Sequence, residues 1–142
     1  MTIARAFTKA DLDACFAIRR EVFVEEQAVP EAMEYDEFDA TALHFLARRE
    51  GAPAATARVV FKEGGRVAKI GRVAVRQALR GGGLGAAIMR AIEADPALEG
   101  AEQLVLEAQS YAIPFYERLG YAAEGEEYLD VGIPHRMMRK AR

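Results

Sequence analysis

The stretch VAVRQALRGGGLGAAIMRAIEA, Val73 to Ala94, decides how the chain folds. It joins a short apolar run to a run with helical spacing, through a connection holding Gly81, Gly82, Gly83 and Gly85. Glycine costs roughly 0.5–1 kcal/mol relative to alanine inside regular structure, so a cluster of them marks backbone that must approach something closely. A strand ending at Val75 and a helix starting near Leu84 leave unpaired N–H groups and the positive end of a helix dipole facing outward, which together make an anion site. Arg76 and Arg80 flank it.

On the N-terminal side, Thr2 to Phe7 reads as a strand, and Thr8 caps a long amphipathic helix with Leu12, Cys15, Phe16, Arg19, Val22 and Phe23 at helical spacing. The acidic stretch EEQAVPEAMEYDEFDA, broken by Pro30, reads as a loop with a helical turn. His44 to Arg49, Ala54 to Phe61 and Arg66 to Val75 follow as antiparallel strands, joined by turns at Glu50–Pro53 and Glu63–Gly65. Past the glycines, a helix runs to Ala94 and stops at Pro96. Gln103 to Gln109 is a strand, Ile113 to Leu119 a short helix, and Tyr121 to Glu127 and Arg136 to Arg139 are the last strands, with Gly132 to His135 as a hairpin tip. A strand–helix–strand crossover joins parallel strands, so the expectation is an α/β fold: a mixed, mostly antiparallel sheet with one parallel pair and helices on its faces.

The 142 residues suit one domain, residues 1–142, with a single core. A net charge of −3 with 29% charged and 51% hydrophobic residues describes a globular protein without the basic footprint of a nucleic-acid binder. No apolar run approaches the roughly 18 residues of a membrane span, and MTIARAFTKAD lacks the core of a signal peptide. A lone cysteine, Cys15, forms no internal disulfide. These features point to a cytoplasmic protein with neither a nucleic-acid nor a membrane partner. Cys15 reads as packing, and His44 and His135 lack the spacing of metal ligands, so no metal site is expected.

The glycines also satisfy the loose dinucleotide pattern G-x-G-x-x-[GA], with Glu107 as the acid that would hold a ribose. In that turn the strand runs almost directly into the first glycine, whereas Arg76 to Arg80 intervenes here, after antiparallel hairpins. No Gly-Lys-Ser/Thr follows, so a Walker loop fails.

The pattern R-x-x-G-x-[GA], here Arg80-Gly81-Gly82-Gly83-Leu84-Gly85, resembles the acyl-CoA pyrophosphate loop of the GNAT superfamily of N-acetyltransferases. AIPFYERLGY, Ala112 to Tyr121, is similar to that superfamily's second signature. IRREVFVEEQAVPE near the start and YLDVGIPHRMMRK at the end resemble its small bacterial ElaA/YjcF-like branch.

The resemblance implies acetyl-CoA as cosubstrate, bound by Arg80, the backbone of Gly81, Gly82, Gly83, Leu84, Gly85 and Ala86, the strand edge Val73, Ala74 and Val75, and Gln109, which stands where many relatives carry an asparagine. It implies Tyr116 as the acid that protonates the leaving thiolate. Family members often carry a glutamate base on the strand before the loop; KIGRVAV has Gly71 and Arg72 there, which leaves Glu107, Glu26, His135 or an already neutral amine. Glu26, Asp36, Asp39 and His135 are expected to converge on a polar pocket opening toward Tyr116, where carboxylates would hold a cationic amine. Arg58 is read either as exposed or as a ligand for an acceptor carboxylate. The acceptor is a small-molecule or protein amine, and the assembly a monomer or homodimer. Two other readings stand beside the N-acetyltransferase: a non-catalytic acyl-CoA-binding module, and an acyl-homoserine lactone synthase, whose front end resembles the run Arg19/Arg20, Phe23, Glu34, Asp36, Asp39.

Overall fold

In the computed structural model, which describes residues 1–142, the strands are β1 (Thr2–Arg5), β2 (Leu43–Arg49), β3 (Ala52–Lys62), β4 (Val67–Val75), β5 (Gln103–Gln109), β6 (Ala122–Asp130) and β7 (Ile133–Ala141). They form one sheet in the order β1-β2-β3-β4-β5-β7-β6, antiparallel throughout except for β4 beside β5. The mixed sheet implied by the crossover is therefore present, with β7 inserted between β5 and β6.

Period-2 alternation sends neighbouring residues to opposite faces of the sheet. Phe45 and Ala47 of β2 join the cluster under α3 (Leu84–Glu93) and α4 (Ile113–Arg118), while Leu46 between them packs with Cys15, Ile18 and Val22 of the first helix. α3 presents Leu84, Ile88, Met89 and Ile92 inward, spaced three and four apart, and all are buried. On the other face, α1 (Lys9–Arg19) starts where the Thr8 hydroxyl accepts the Asp11 amide at 3.1 Å. It continues into a π-helical segment, Arg20–Glu26, then a short α2 (Glu31–Glu34) and a turn at Glu37–Ala40. No helix is long and apolar enough to cross a membrane.

Two irregularities shape the sheet. Thr56 pairs with Ala74 and Arg58 with Gly71, so β4 takes three steps where β3 takes two, and the extra residue is a bulge with Arg72 at φ 52°. The parallel pairing of β4 with β5 ends just before it, at Ile70 opposite Leu106. Beyond that point the two strands part.

The second is the β6–β7 turn. The tip lies at Val131 and Gly132, at φ 48° and 76°, and Ile133 to His135 are already paired with Asp130 to Tyr128. This corrects the expected tip at Gly132 to His135: two consecutive left-handed residues make a two-residue turn, so both strands extend further than their apolar patterns suggested. A β-branched residue is strained at positive φ, whereas asparagine is favoured there. Val131→Asn is expected to stabilise the fold by roughly 1 kcal/mol, the low end of such strain; urea unfolding at neutral pH checks it, an unchanged or lower midpoint refuting the strain.

Candidate active site

Where β4 and β5 part, a cavity of about 840 Å³ opens through the sheet, from the α3/α4 side to the side of α1 and α2. Arg76 donates its amide to the Ala54 carbonyl at 3.0 Å, so alternation turns the main-chain groups of Val73 and Val75 into the gap. The Val75 carbonyl there accepts from Arg80 Nε at 3.0 Å. Val73, Ala74, Val75 and Gln109 all line the cavity, as do Arg80, Gly81, Gly83, Leu84, Gly85 and Ala86.

The glycine loop closes one end. Gly81 and Gly83 have φ of 86° and 82°, Gly83 serving as the cap residue of α3 without a side-chain bond. The amides from Gly81 through Ala86 donate to no protein carbonyl or side chain, so a continuous run of N–H groups converges at a helix N-terminus. A Cβ on Gly85 would lie 3.1 Å from the Phe115 ring, so glycine lets α3 start against α4. A Cβ on Gly82 would meet only the guanidinium of Arg49, the far end of a flexible side chain. Arg80 is forked onto Glu26, both contacts at 2.7 Å, and Arg76 onto Glu21 at 2.9 Å.

Tyr116 lies on α4, buried between the rings of Phe115 and Tyr121, and burial pushes its phenol well above the ordinary tyrosine range. Its hydroxyl makes no protein hydrogen bond, yet no buried side-chain oxygen or nitrogen in the protein lacks a partner. The hydroxyl is therefore open to the cavity that Tyr116 lines. His135 obeys the same logic. It is buried and lines the cavity; its Nδ1 bonds the Ile133 carbonyl at 2.7 Å, and its partnerless Nε2 is open. Gln109 exchanges amide bonds with Gln27, the shorter at 2.8 Å.

The four residues expected to converge do so only in part. Asp36 and His135 line the cavity; Glu26 and Asp39 do not. Glu26 belongs to the glycine-loop end, drawn there by Arg80. Asp39 is taken by Arg19, at 2.7 and 3.1 Å, and by Arg58 at 2.8 Å; Asp36 is taken by Arg58 at 2.6 and 2.8 Å and by Arg72 at 3.3 Å. Arg58 is thus neither exposed nor free for a carboxylate ligand. Glu34, in the acidic stretch that reads as a loop with a helical turn, is buried and held by Arg19 at 2.8 Å and Arg72 at 3.2 Å. Three acids meet three arginines from α1, β3 and β4. Only Arg19, a cation on an otherwise apolar helix face, hinted at this in the sequence.

Glu107 sits on β5 one residue past the last β4–β5 pair and lines the cavity, bonded to Lys69 Nζ at 2.6 Å. Burial alone would raise its carboxyl, but Lys69 together with Tyr128 and His135 outweighs burial and holds it below the usual range. Lys69 and Tyr128 were missed in the sequence, because only the strand register brings them near Glu107.

Residues 3–142 match the family described as the Acetyltransferase (GNAT) domain. The N-acetyltransferase YjcF of Bacillus subtilis is 38% identical over 136 residues, which covers 95% of this chain and 96% of that protein. An acyl-CoA N-acyltransferase from Pseudomonas aeruginosa superposes with a TM-score of 0.86 at 33% identity, over 99% of this chain and all of that one. ElaA of Escherichia coli superposes at 0.84 with 28% identity, over 98% and 99% of the two chains. The two solved structures share this fold over nearly the whole chain. The chain belongs to the GNAT acetyltransferase family.

The ion-pair network has a signature in acid. Burial pushes the Asp39 carboxyl up, but Arg19 and then Arg58 outweigh it and hold it at about 2; Arg58 likewise holds Asp36 down. Glu34 goes the other way, burial raising it more than Arg19 lowers it. A depressed carboxyl stabilises the fold above its unfolded value and loses that contribution as pH falls toward the folded value. Asp39 carries the large shift of the three and sets the sign of the dependence. The urea midpoint is therefore expected to fall between about pH 5 and pH 2, and Asp39→Asn to flatten that dependence while lowering stability at pH 7. Arg19→Met, which takes from Glu34 and from Asp39 one of the two arginines that each faces, is expected to cost about 3 kcal/mol. A midpoint in either variant equal to the parent's would contradict the network's role.

Proposed function

We propose that this protein is an N-acetyltransferase that moves an acetyl group from acetyl-CoA to a primary amine of a small molecule or protein by direct attack on the thioester. The observation that carries the reading is the run of partnerless amides from Gly81 to Ala86 opening onto the gap between β4 and β5. Such a run suits a pyrophosphate, whose oxygens could approach Gly81 and Gly83 because a Cβ at either would point into open space. The edge of Val73 and Val75 suits an extended amide-bearing arm, which would add to β4 as a strand does. Bound acetyl-CoA supplies an activated acyl carbon and a thiolate leaving group.

In this reading the chain's residues do four things. The loop amides hold the diphosphate, with the Arg80–Glu26 pair at its rim. An N–H of the Val73–Val75 edge polarises the thioester carbonyl and stabilises the developing oxyanion. The hydrophobic flank of Phe115 and Leu84 excludes water. Tyr116, open to the cavity and fully protonated at neutral pH, gives its proton to the departing sulfur. Glu34, Asp36 and Asp39 are spent on arginines, so they anchor the wall of the acceptor side and do not supply free carboxylates for a cationic amine. The run resembling acyl-homoserine lactone synthases is accounted for by the same ion pairs.

Two results test this. Calorimetric titration with CoA is expected to detect binding that Gly83→Glu and Gly85→Glu abolish, each placing bulk and negative charge among the loop amides; unchanged affinity in both excludes the site. Tyr116→Phe is expected to keep CoA binding while lowering kcat by roughly ten- to a thousandfold. A parental rate in that variant would make Tyr116 a packing residue, and CoA binding without transfer to any amine would favour the non-catalytic module.

A further inference from the structure

The transferase reading leaves the amine's proton without a destination. The positions where a glutamate base would stand on β4 hold Gly71 and Arg72, and Arg72 is turned onto the Glu34 carbonyl and Asp36. Asp36 and Glu34 are held by two arginines each. What remains on the acceptor side is the face of β5, β7 and β6. His135 stands directly opposite Gln109, at the parted end of β5, and Tyr128 stands opposite His135 on its other side. Neighbouring strands lie about 4.8 Å apart, so the imidazole is one strand from the rim of the gap.

Resting on the transferase reading, we propose that His135 Nε2 is the proton acceptor for the attacking amine, directly or through one water. The ring is prepared for this. The Ile133 carbonyl 2.7 Å from Nδ1 can only accept, so Nδ1 carries the hydrogen and neutral Nε2 carries the lone pair. That lone pair is open to the cavity, and Tyr128 stacks on the ring at 6.0 Å and 22°. The charged and titratable groups facing it are Glu107 from β5, paired with Lys69 from β4, Tyr128 from β6, and Asp130 where β6 meets the same cavity.

The step balances. Nε2 takes one proton from the ammonium, and the freed lone pair forms the C–N bond. The C–S bond breaks and the thiolate takes the Tyr116 proton; the second N–H proton restores Tyr116 through solvent, and the imidazolium returns its proton to bulk water.

The test uses His135→Asn, whose side-chain amide can keep the bond to the Ile133 carbonyl but has no basic nitrogen. Rates are compared for benzylamine, cationic at pH 7, and hydroxylamine, already neutral at that pH, with acetyl-CoA saturating. The variant is expected to lose roughly ten- to a hundredfold on benzylamine, to keep most of its hydroxylamine rate, and to bind CoA as the parent does. In the parental protein, nitrogen-detected NMR is expected to find the Nδ1–H tautomer that the Ile133 carbonyl selects. Equal losses on both amines, no loss on either, or a dominant Nε2–H tautomer would overturn the proposal. If the parent binds CoA but acetylates neither amine, or binds no CoA, the transferase reading itself fails, and this inference with it.

Discussion

One extra residue in β4 governs the rest of the molecule. Because β4 takes three steps against two of β3, its last residues stay paired to β3 while swinging away from β5, and the sheet opens just past Ile70 and Leu106. A sheet that pairs along its whole length has no room for a ligand between its strands. Here the main-chain groups of Val73 and Val75 are left without a strand partner, and the cavity passes from one face of the sheet to the other. The α3/α4 face contributes the glycine loop and Tyr116; the opposite face contributes Glu107, His135 and the wall built from residues 27–40. The bulge also turns Arg72 onto that wall, so one backbone irregularity both opens the site and ties down its cover.

The wall is held by charge where apolar packing would have sufficed elsewhere. Arg19 is almost wholly buried, with its guanidinium satisfied by Glu34 and Asp39 and flanked by the rings of Phe16 and Tyr35. A buried ion network of this kind contributes little net stability over a well-packed apolar one, but removing any member leaves an uncompensated charge. Its consequence is geometric. The acidic segment folds back on the sheet in one arrangement, and its carboxylates face arginines across the protein interior. Glu34, Asp36 and Asp39 look like part of an anionic surface in the sequence and are met by arginines in the fold.

The chain belongs to the GNAT acetyltransferase family, and the residues around the opening give its site a character of its own. Gly71 and Arg72 leave β4 without a carboxylate where it parts from β5, so in the proposed reaction the question of proton removal moves to β5 and β7. There, a histidine with one nitrogen pinned by its own hairpin and the other open to the cavity stands across from the parted strand end. The hairpin that presents it is lengthened by its tight turn at Val131 and Gly132, so His135 is a strand residue held in register and not part of a mobile tip.

Much of this was legible in the residues. Period-2 and helical spacing marked the strands and the long helices, Thr8 and Pro96 marked ends, and the crossover through Val73 to Gln109 dictated a parallel pair; these signals are local, and local physics suffices to read them. The loop was legible too, because positive φ at Gly81 and Gly83 and the close approach of Gly85 to Phe115 demand glycine itself. Tertiary structure alone decided the partners of the charges. Nothing in the spacing of Arg19, Glu34, Asp39, Arg58 and Arg72 says that they meet, since helix, loop and two strands must pack before a guanidinium finds a carboxylate. Likewise Glu26 reads as an acceptor acid until Arg80 draws it to the loop. Ion pairs are chosen by proximity across the fold, while helices and turns are chosen by the residue and its near neighbours.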